Sequence, residues 1–403
     1  MPQRLRMSAL RGLLWAVVST VALAIVPAPA DGGAASAPPG GDGPSFLSAP
    51  SALPGFVVDG ELRHSGERFE VRDFSGRVGD VDLNGSLEID LSGGVLGVSG
   101  ALEAPSFDFD AFRALLDQLG LAAVGENSSE SLIPAFDLPT GLLDEAAVDL
   151  DLELADISGL VIPLQSIGTT ISLQSARLAA NPIEVALAGG RITGQSALNA
   201  RHRPASADLI LDLDSIDLAR LLDGTPAAQY LAGTDSGRLS LLGTGATLDE
   251  VLASSNGEAS LAIEGGWIDS LVLEGAGVDV VETLALYVGD SGRVPVDCGR
   301  LDVVVDAGVA RIERLLIDTR DSLVLGDGTV TLASEALDLT VHTRARAFSL
   351  IDVAAPVSIQ GTLGEPSFGI GDVDIRDTLD IFDEATSIDC RRPLMDDFAG
   401  RQG

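Results

Sequence analysis

The stretch Ala147–Gly159, AVDLDLELADISG, decides the fold. Val148, Leu150, Leu152 and Leu154 alternate in it with Asp149, Asp151 and Glu153. Successive side chains of a strand leave opposite faces, so this spelling gives one aliphatic face and one acidic face. What the aliphatic face touches is the question the rest of the chain answers.

The spelling recurs along the chain. VVDGELRHSG, RFEVRDFSGRVGD, VDLNGSLEIDL, GVLGVSGALEA, TTISLQSARLAA, IEVALAGG, RITGQSALNA, ADLILDLDSID, GRLSLLGTG, ASLAIEGG, RLDVVVDAG, ARIERLLID, SLVLGDG, TVTLAS and ALDLTVHTR all carry it. Turn residues part them at intervals of about 8–12 positions, the cadence of an all-β protein. In ADLILDLDSID the aliphatic face is Leu209, Leu211 and Leu213; in ALDLTVHTR it is Leu337, Leu339 and Val341. Helical spacing is rarer. Phe107–Val124 carries Phe112, Leu115, Leu116 and Leu119 at helical intervals, and SIDLARLLDG, TLDEVLASS, GVDVVETLALYVG and the tail DTLDIFDEATSIDCRR read similarly. These are expected to cap a β scaffold. FDFDAFRALL and IDLARLLDG echo one another, as a weak internal repeat of sheet and short helix would.

Composition bounds the function. The 403 residues are 46% hydrophobic, which excludes disorder of the whole chain. Aromatics make up only 4%, so a core must be built from Leu, Val, Ile and Ala, which suits thin sheets. The formal net charge is −35 and every basic residue is an arginine. Such a surface repels phosphate backbones, which argues against a nucleic-acid partner, and it keeps an aliphatic-rich chain soluble.

Arg4, Arg6 and Arg11 precede the apolar run Leu13–Val26, and Ala28-Pro29-Ala30 follows as an A-x-A pattern. The run is shorter than the about twenty residues of a bilayer span, so residues 1–30 read as a secretory signal, with an uncleaved anchor as the alternative. Residues 31–54, rich in Gly, Ala, Pro and Ser, read as a flexible linker. A β-rich domain is expected over 55–372 and a helical tail over 373–403.

No catalytic constellation stands out. His64, His202 and His342 are scattered, and G-x-S-x-G, G-x-x-x-x-G-K and H-E-x-x-H are all missing. The segment Asp80–Leu91, DVDLNGSLEIDL, opens like a calcium loop but places Leu91 where a bidentate Glu belongs. A turn followed by a strand explains it better. The expectation is a protein that is not an enzyme and holds no cofactor or metal.

Val294–Val341 together with Ala347–Phe368, and upstream the stretch Asp73–Phe112, resemble the C-terminal region of AsmA proteins. The resemblance runs from about Gly55 to Arg392 and rests on the order of short β phrases. It implies a long, strongly curved, antiparallel-rich β-sheet folded as a trough, with a few short capping helices. It also implies a non-enzymatic role in the Gram-negative periplasm, on the inner membrane if the anchor is retained. The apolar inside of the trough would carry phospholipid or other acylated lipid and support outer-membrane assembly. Cys298 and Cys390 are the only cysteines, and an even pair in an exported chain favours a disulfide; paired cysteines near these places also occur in the family.

Burial energetics reach a compatible reading from the residues themselves. Each large aliphatic side chain left in water forfeits about 1.5–3 kcal/mol. The faces of Val148, Leu150, Leu152, Leu154, Leu209, Leu211, Leu213, Leu337, Leu339 and Val341 must therefore be covered by a second sheet, by helices or by lipid. These ten residues are the candidates for a lipid groove. Sixteen to twenty strands would span about 80–95 Å at about 4.8 Å each. The alternative is an exported acidic β module with a closed core, whose surface binds other envelope proteins.

Overall fold

Alternating residues become strands because a pleated, half-buried surface is where β-branched and aliphatic side chains fit best. The computed structural model describes 45–370 with breaks, of which the longest are 112–137, 270–292 and 346–355. The expected signal segment, most of the linker and the tail lie outside the described residues, as do the helices expected around Gly277 and in the tail.

The chain is mainly β. Among the described residues, eighteen strands belong to one large, mostly antiparallel sheet and two to a small parallel one. The described residues divide into two compact units.

The first unit contains β1 (Ser45–Pro50), β2 (Phe56–Ser65), β3 (Arg68–Val78), β4 (Val81–Asp90), β5 (Leu96–Ala104), β6 (Phe107–Asp108), β7 (Ala146–Ala155), β8 (Ile157–Ser158) and β9 (Leu164–Gln174). β1 to β5 pair in sequence as antiparallel neighbours. β7 then joins β5 in parallel and pairs β9 antiparallel. Two details differ from the sequence reading. β1 falls inside the segment read as a linker: its backbone pairs with β2 from Ser45↔Leu62 to Pro50↔Val57, and an available strand edge orders a segment of weak propensity. The segment read as helical from Phe107 opens with β6, paired in parallel with β8, and turns helical only at 109–111, where the Asp108 carboxylate accepts from the Ala111 amide.

After β10 (Arg177–Leu187) and β11 (Gly190–Asn199), the second unit runs through β12 (Ala205–Asp217), α1 (Leu218–Leu221), β13 (Leu231–Gly245), α2 (Leu248–Ala253) and β14 (Asn256–Asp269). β15 (Arg293–Asp306), β16 (Val309–Thr319), β17 (Ser322–Thr331), β18 (Ala336–Ala345), β19 (Val357–Thr362) and β20 (Pro366–Ile370) complete it. Each strand from β12 to β20 pairs antiparallel with the next.

The short helices start where capping chemistry places them. Asp217 accepts hydrogen bonds from the amides of Ala219 and Arg220 to open α1. Thr247 accepts from the Glu250 amide to open α2, while Glu250 accepts from the Ala246 amide at 2.7 Å. TLDE is thus a helix start within β surroundings, as its spelling predicts.

Candidate functional site: an aliphatic face written in register

Which side chains share a face follows from the register. In the first unit, one row runs Leu62, Val71, Leu87, Gly100, Leu150, Ile171, each residue opposite the next on the neighbouring strand. A parallel row runs Phe69, Ile89, Val98, Val148, Leu173. Leu102, Leu152 and Thr169 form a third, and Ala104, Leu154 and Ile167 a fourth. Val148, Leu150, Leu152 and Leu154 therefore lie on one aliphatic face, while Asp149, Asp151 and Glu153 are exposed on the other.

The face has a sealed part and a less covered part. Leu62, Val71, Phe74, Leu87, Ile89 and Val98 form a buried cluster against which Leu150 packs. Val148 packs on the buried group of Leu143, Ala146, Leu173 and Ala176, and Leu154 on Val81, Ala104 and Phe107. The four candidates themselves remain half-buried.

The second unit repeats the design over nine strands. Leu209, Leu241, Gly257, Val305, Ala310, Val330, Leu337, Gly361 and Pro366 form one row, from β12 to β20. Leu211, Leu239, Ala259, Val303, Ile312, Gly328, Leu339, Ile359 and Phe368 form the next. Leu213, Gly237, Leu261, Leu301, Leu315, Gly326, Val341, Val357 and Ile370 form the third. The candidate residues of β12 and of β18 thus occupy the same three rows pairwise: Leu209 with Leu337, Leu211 with Leu339, Leu213 with Val341. All six are half-buried.

Glycines interrupt these rows for a steric reason. Gly328 has φ +134°, and a Cβ there would lie 2.2 Å from the Asp338 carbonyl oxygen. Gly100 in the first unit has φ +144°, and its Cβ would lie 2.0 Å from the Ser86 carbonyl oxygen. Neighbouring backbone occupies the place of the missing side chain.

The opposite faces carry the charge. Arg68 reaches Asp90 at 2.7 Å and Glu88 at 3.0 Å, and hydrogen bonds from Ser92 and Arg68 hold the Asp90 carboxyl well below the usual carboxylate range. Arg238 grips Asp212 through two hydrogen bonds of 2.7 and 2.9 Å. Arg300, buried, lies 3.0 Å from Asp302, which Arg314 also meets at 2.9 Å and Ser260 at 2.5 Å.

One acidic residue breaks this separation. The fourth row of the second unit runs Ile216, Asp235, Ile263, Gly299, Ile317, Val324. Asp235 is only 6% exposed, and its Oδ1 is buried with no hydrogen-bond partner among the described residues. Burial pushes its carboxyl up to about 6, against a smaller opposing effect from the Ser236 amide. Sequence reading passed over it because one Asp among 60 acidic residues carries no signal of its own. The register does single it out: Gly237 and Leu239 follow it on the same face.

The histidines stay apart. His64 is exposed, with its ring centroid 6.2 Å from that of Phe69, and His202 is exposed. His342 is buried, with Nε2 3.6 Å from Asp327. The calcium-like segment forms β4, where Asp82 pairs with Arg77 at 2.7 Å. Among the described residues no cluster of His, Cys, Asp and Glu is placed to hold a metal ion, and no helix is long and apolar enough to cross a membrane. Cys298 is buried in β15; Cys390 lies outside the described residues.

The chain is 25% identical over 336 residues to the AsmA family protein YhjG of Escherichia coli (strain K12), a match covering 79% of this chain and 49% of that protein. The chain thus spans about half the length of the curated relative it matches. No solved structure matches it. The AsmA family model matches residues 53–315, most of the strands that build both aliphatic faces, and the chain belongs to the AsmA family.

Proposed function

We propose that this protein works in the bacterial envelope as a lipid-handling member of its family, exported by its N-terminal segment and non-enzymatic. Acyl chains of phospholipid or another acylated lipid lie against the aliphatic rows, and the protein thereby supports outer-membrane assembly or phospholipid transport. The observation that carries the reading is the run of three aliphatic rows over nine strands whose leucines stay half-buried. A closed core would seal such residues, as it seals Val71 and Ile89. Family membership supports an envelope role at the coarser level.

Native mass spectrometry of protein purified without detergent, followed by organic extraction, tests the reading. Adducts of phospholipid mass are expected, and they are lost in Leu211→Asp or Leu339→Asp variants that keep the wild-type circular dichroism spectrum. A clean apo mass with the same fold would remove lipid handling and leave the exported acidic module with a closed core, which binds other envelope proteins.

A further inference from the structure

Asp235 has no place in an aliphatic wall unless something meets it. The register puts its side chain between Ile216 and Ile263 on the strands to either side, one position from the row of Leu213, Gly237 and Leu261. Ile216 is 1% exposed and Asp235 6%, whereas Leu213 and Leu261 are half-buried. The carboxyl thus lies between the sealed Ile216 and the half-buried Ile263, one position from the rows assigned to acyl chains. Its Oδ1 is buried and lacks a hydrogen-bond partner among the described residues.

A buried acceptor left unpaired is costly, and a buried charge more so. Arg238, three residues on, projects to the opposite face and is engaged by Asp212. A hydroxyl donor would satisfy the oxygen and leave the charge uncompensated. A primary ammonium supplies both the donor and the opposite charge, with a hydrogen bond of the stronger, charge-assisted kind.

We propose that Asp235 is a polar subsite of the aliphatic face that receives the primary ammonium of an amine-bearing lipid whose acyl chains lie along the adjoining rows. The assignment rests on the proposed lipid handling and adds a headgroup preference to it. Phosphatidylcholine has the same phosphodiester but no N–H to donate, so the subsite discriminates between the two headgroups.

The test compares phosphatidylethanolamine and phosphatidylcholine carrying identical dioleoyl chains, offered in equal amounts to the full exported chain and read by native mass spectrometry. Wild type is expected to take the ethanolamine lipid about tenfold over the choline lipid, the size of a charge-assisted hydrogen bond. Asp235→Leu is expected to erase the preference while choline-lipid binding stays within about twofold. Asp235→Asn, of the same shape, serves if the Leu variant does not fold, and is expected to reduce the preference at least about threefold. Lipid binding without a preference in wild type, or with one that survives in both variants, overturns the subsite and leaves lipid handling standing. No binding of either lipid overturns both.

Discussion

Replacing Asp235 by Asn keeps the shape of the side chain and removes its charge and its titration. In the folded protein burial raises this carboxyl to about 6 from an ordinary 3.8. A difference of about two pH units corresponds to about 3 kcal/mol. The folded state holds the proton more tightly than the unfolded state. The group therefore costs nothing below about pH 4, and its penalty grows as the pH rises towards 6, remaining in full above that. The variant carries no such penalty. Its stability minus that of wild type is expected to rise by up to about 3 kcal/mol between pH 4 and pH 7 and then to level off. The net charge of −35 destabilises both proteins as pH rises, and the difference removes that shared background. Urea unfolding of both proteins at half-unit steps from pH 4 to pH 8 gives the curve. A difference that stays flat between pH 4 and pH 7 would refute the burial of this carboxylate in the aliphatic wall.

Gly328→Val places a Cβ against the Asp338 carbonyl at a φ that L residues avoid, and is expected to cost at least about 2 kcal/mol in urea unfolding; a neutral variant would contradict the close approach of β17 and β18. Thr247→Ala removes the cap of α2 and is expected to cost about 1 kcal/mol, with Thr247→Ser retaining most of the stability. A bridge between Cys298 and Cys390 is proposed to tie the tail to β15, so unreduced, denatured protein should show no titratable thiol and reduction should cost up to about 4.6 kcal/mol. Finding two thiols sinks the bridge.

The sequence made the strands and their faces readable because the period of a pleated strand is two, and Val148 to Leu154 or Leu209 to Leu213 spell it without interruption. The same spelling marks common rows on distant strands: Leu211 stands between Leu209 and Leu213 and Leu339 between Leu337 and Val341 at period two, and the antiparallel register puts them in one row. Where the period slips, legibility ends. Ser215, at φ +58°, sits in the register shift between Leu213 and Ile216, so Ile216 joins the aliphatic face out of phase with the leucines before it. Asp235 keeps phase with Gly237 and Leu239, but that its neighbour across the strand is the buried Ile216 is visible only through the shifted pairing. The parallel joining of β5 and β7 was equally illegible, since nothing local in either strand encodes the direction of its partner. Nothing in the residues of β1 announces a strand, because its ordering comes from the edge of β2.

From β12 to β20 every strand pairs with its neighbour in sequence, and this has a consequence for how such chains change length. A whole hairpin added between two existing ones restores the original strand direction and leaves every other residue in phase, so each aliphatic row simply gains two places. A single inserted residue within a strand would instead turn the remainder of that strand inside out. Duplication or loss of hairpins is thus the step by which the architecture lengthens or shortens without rewriting its surfaces.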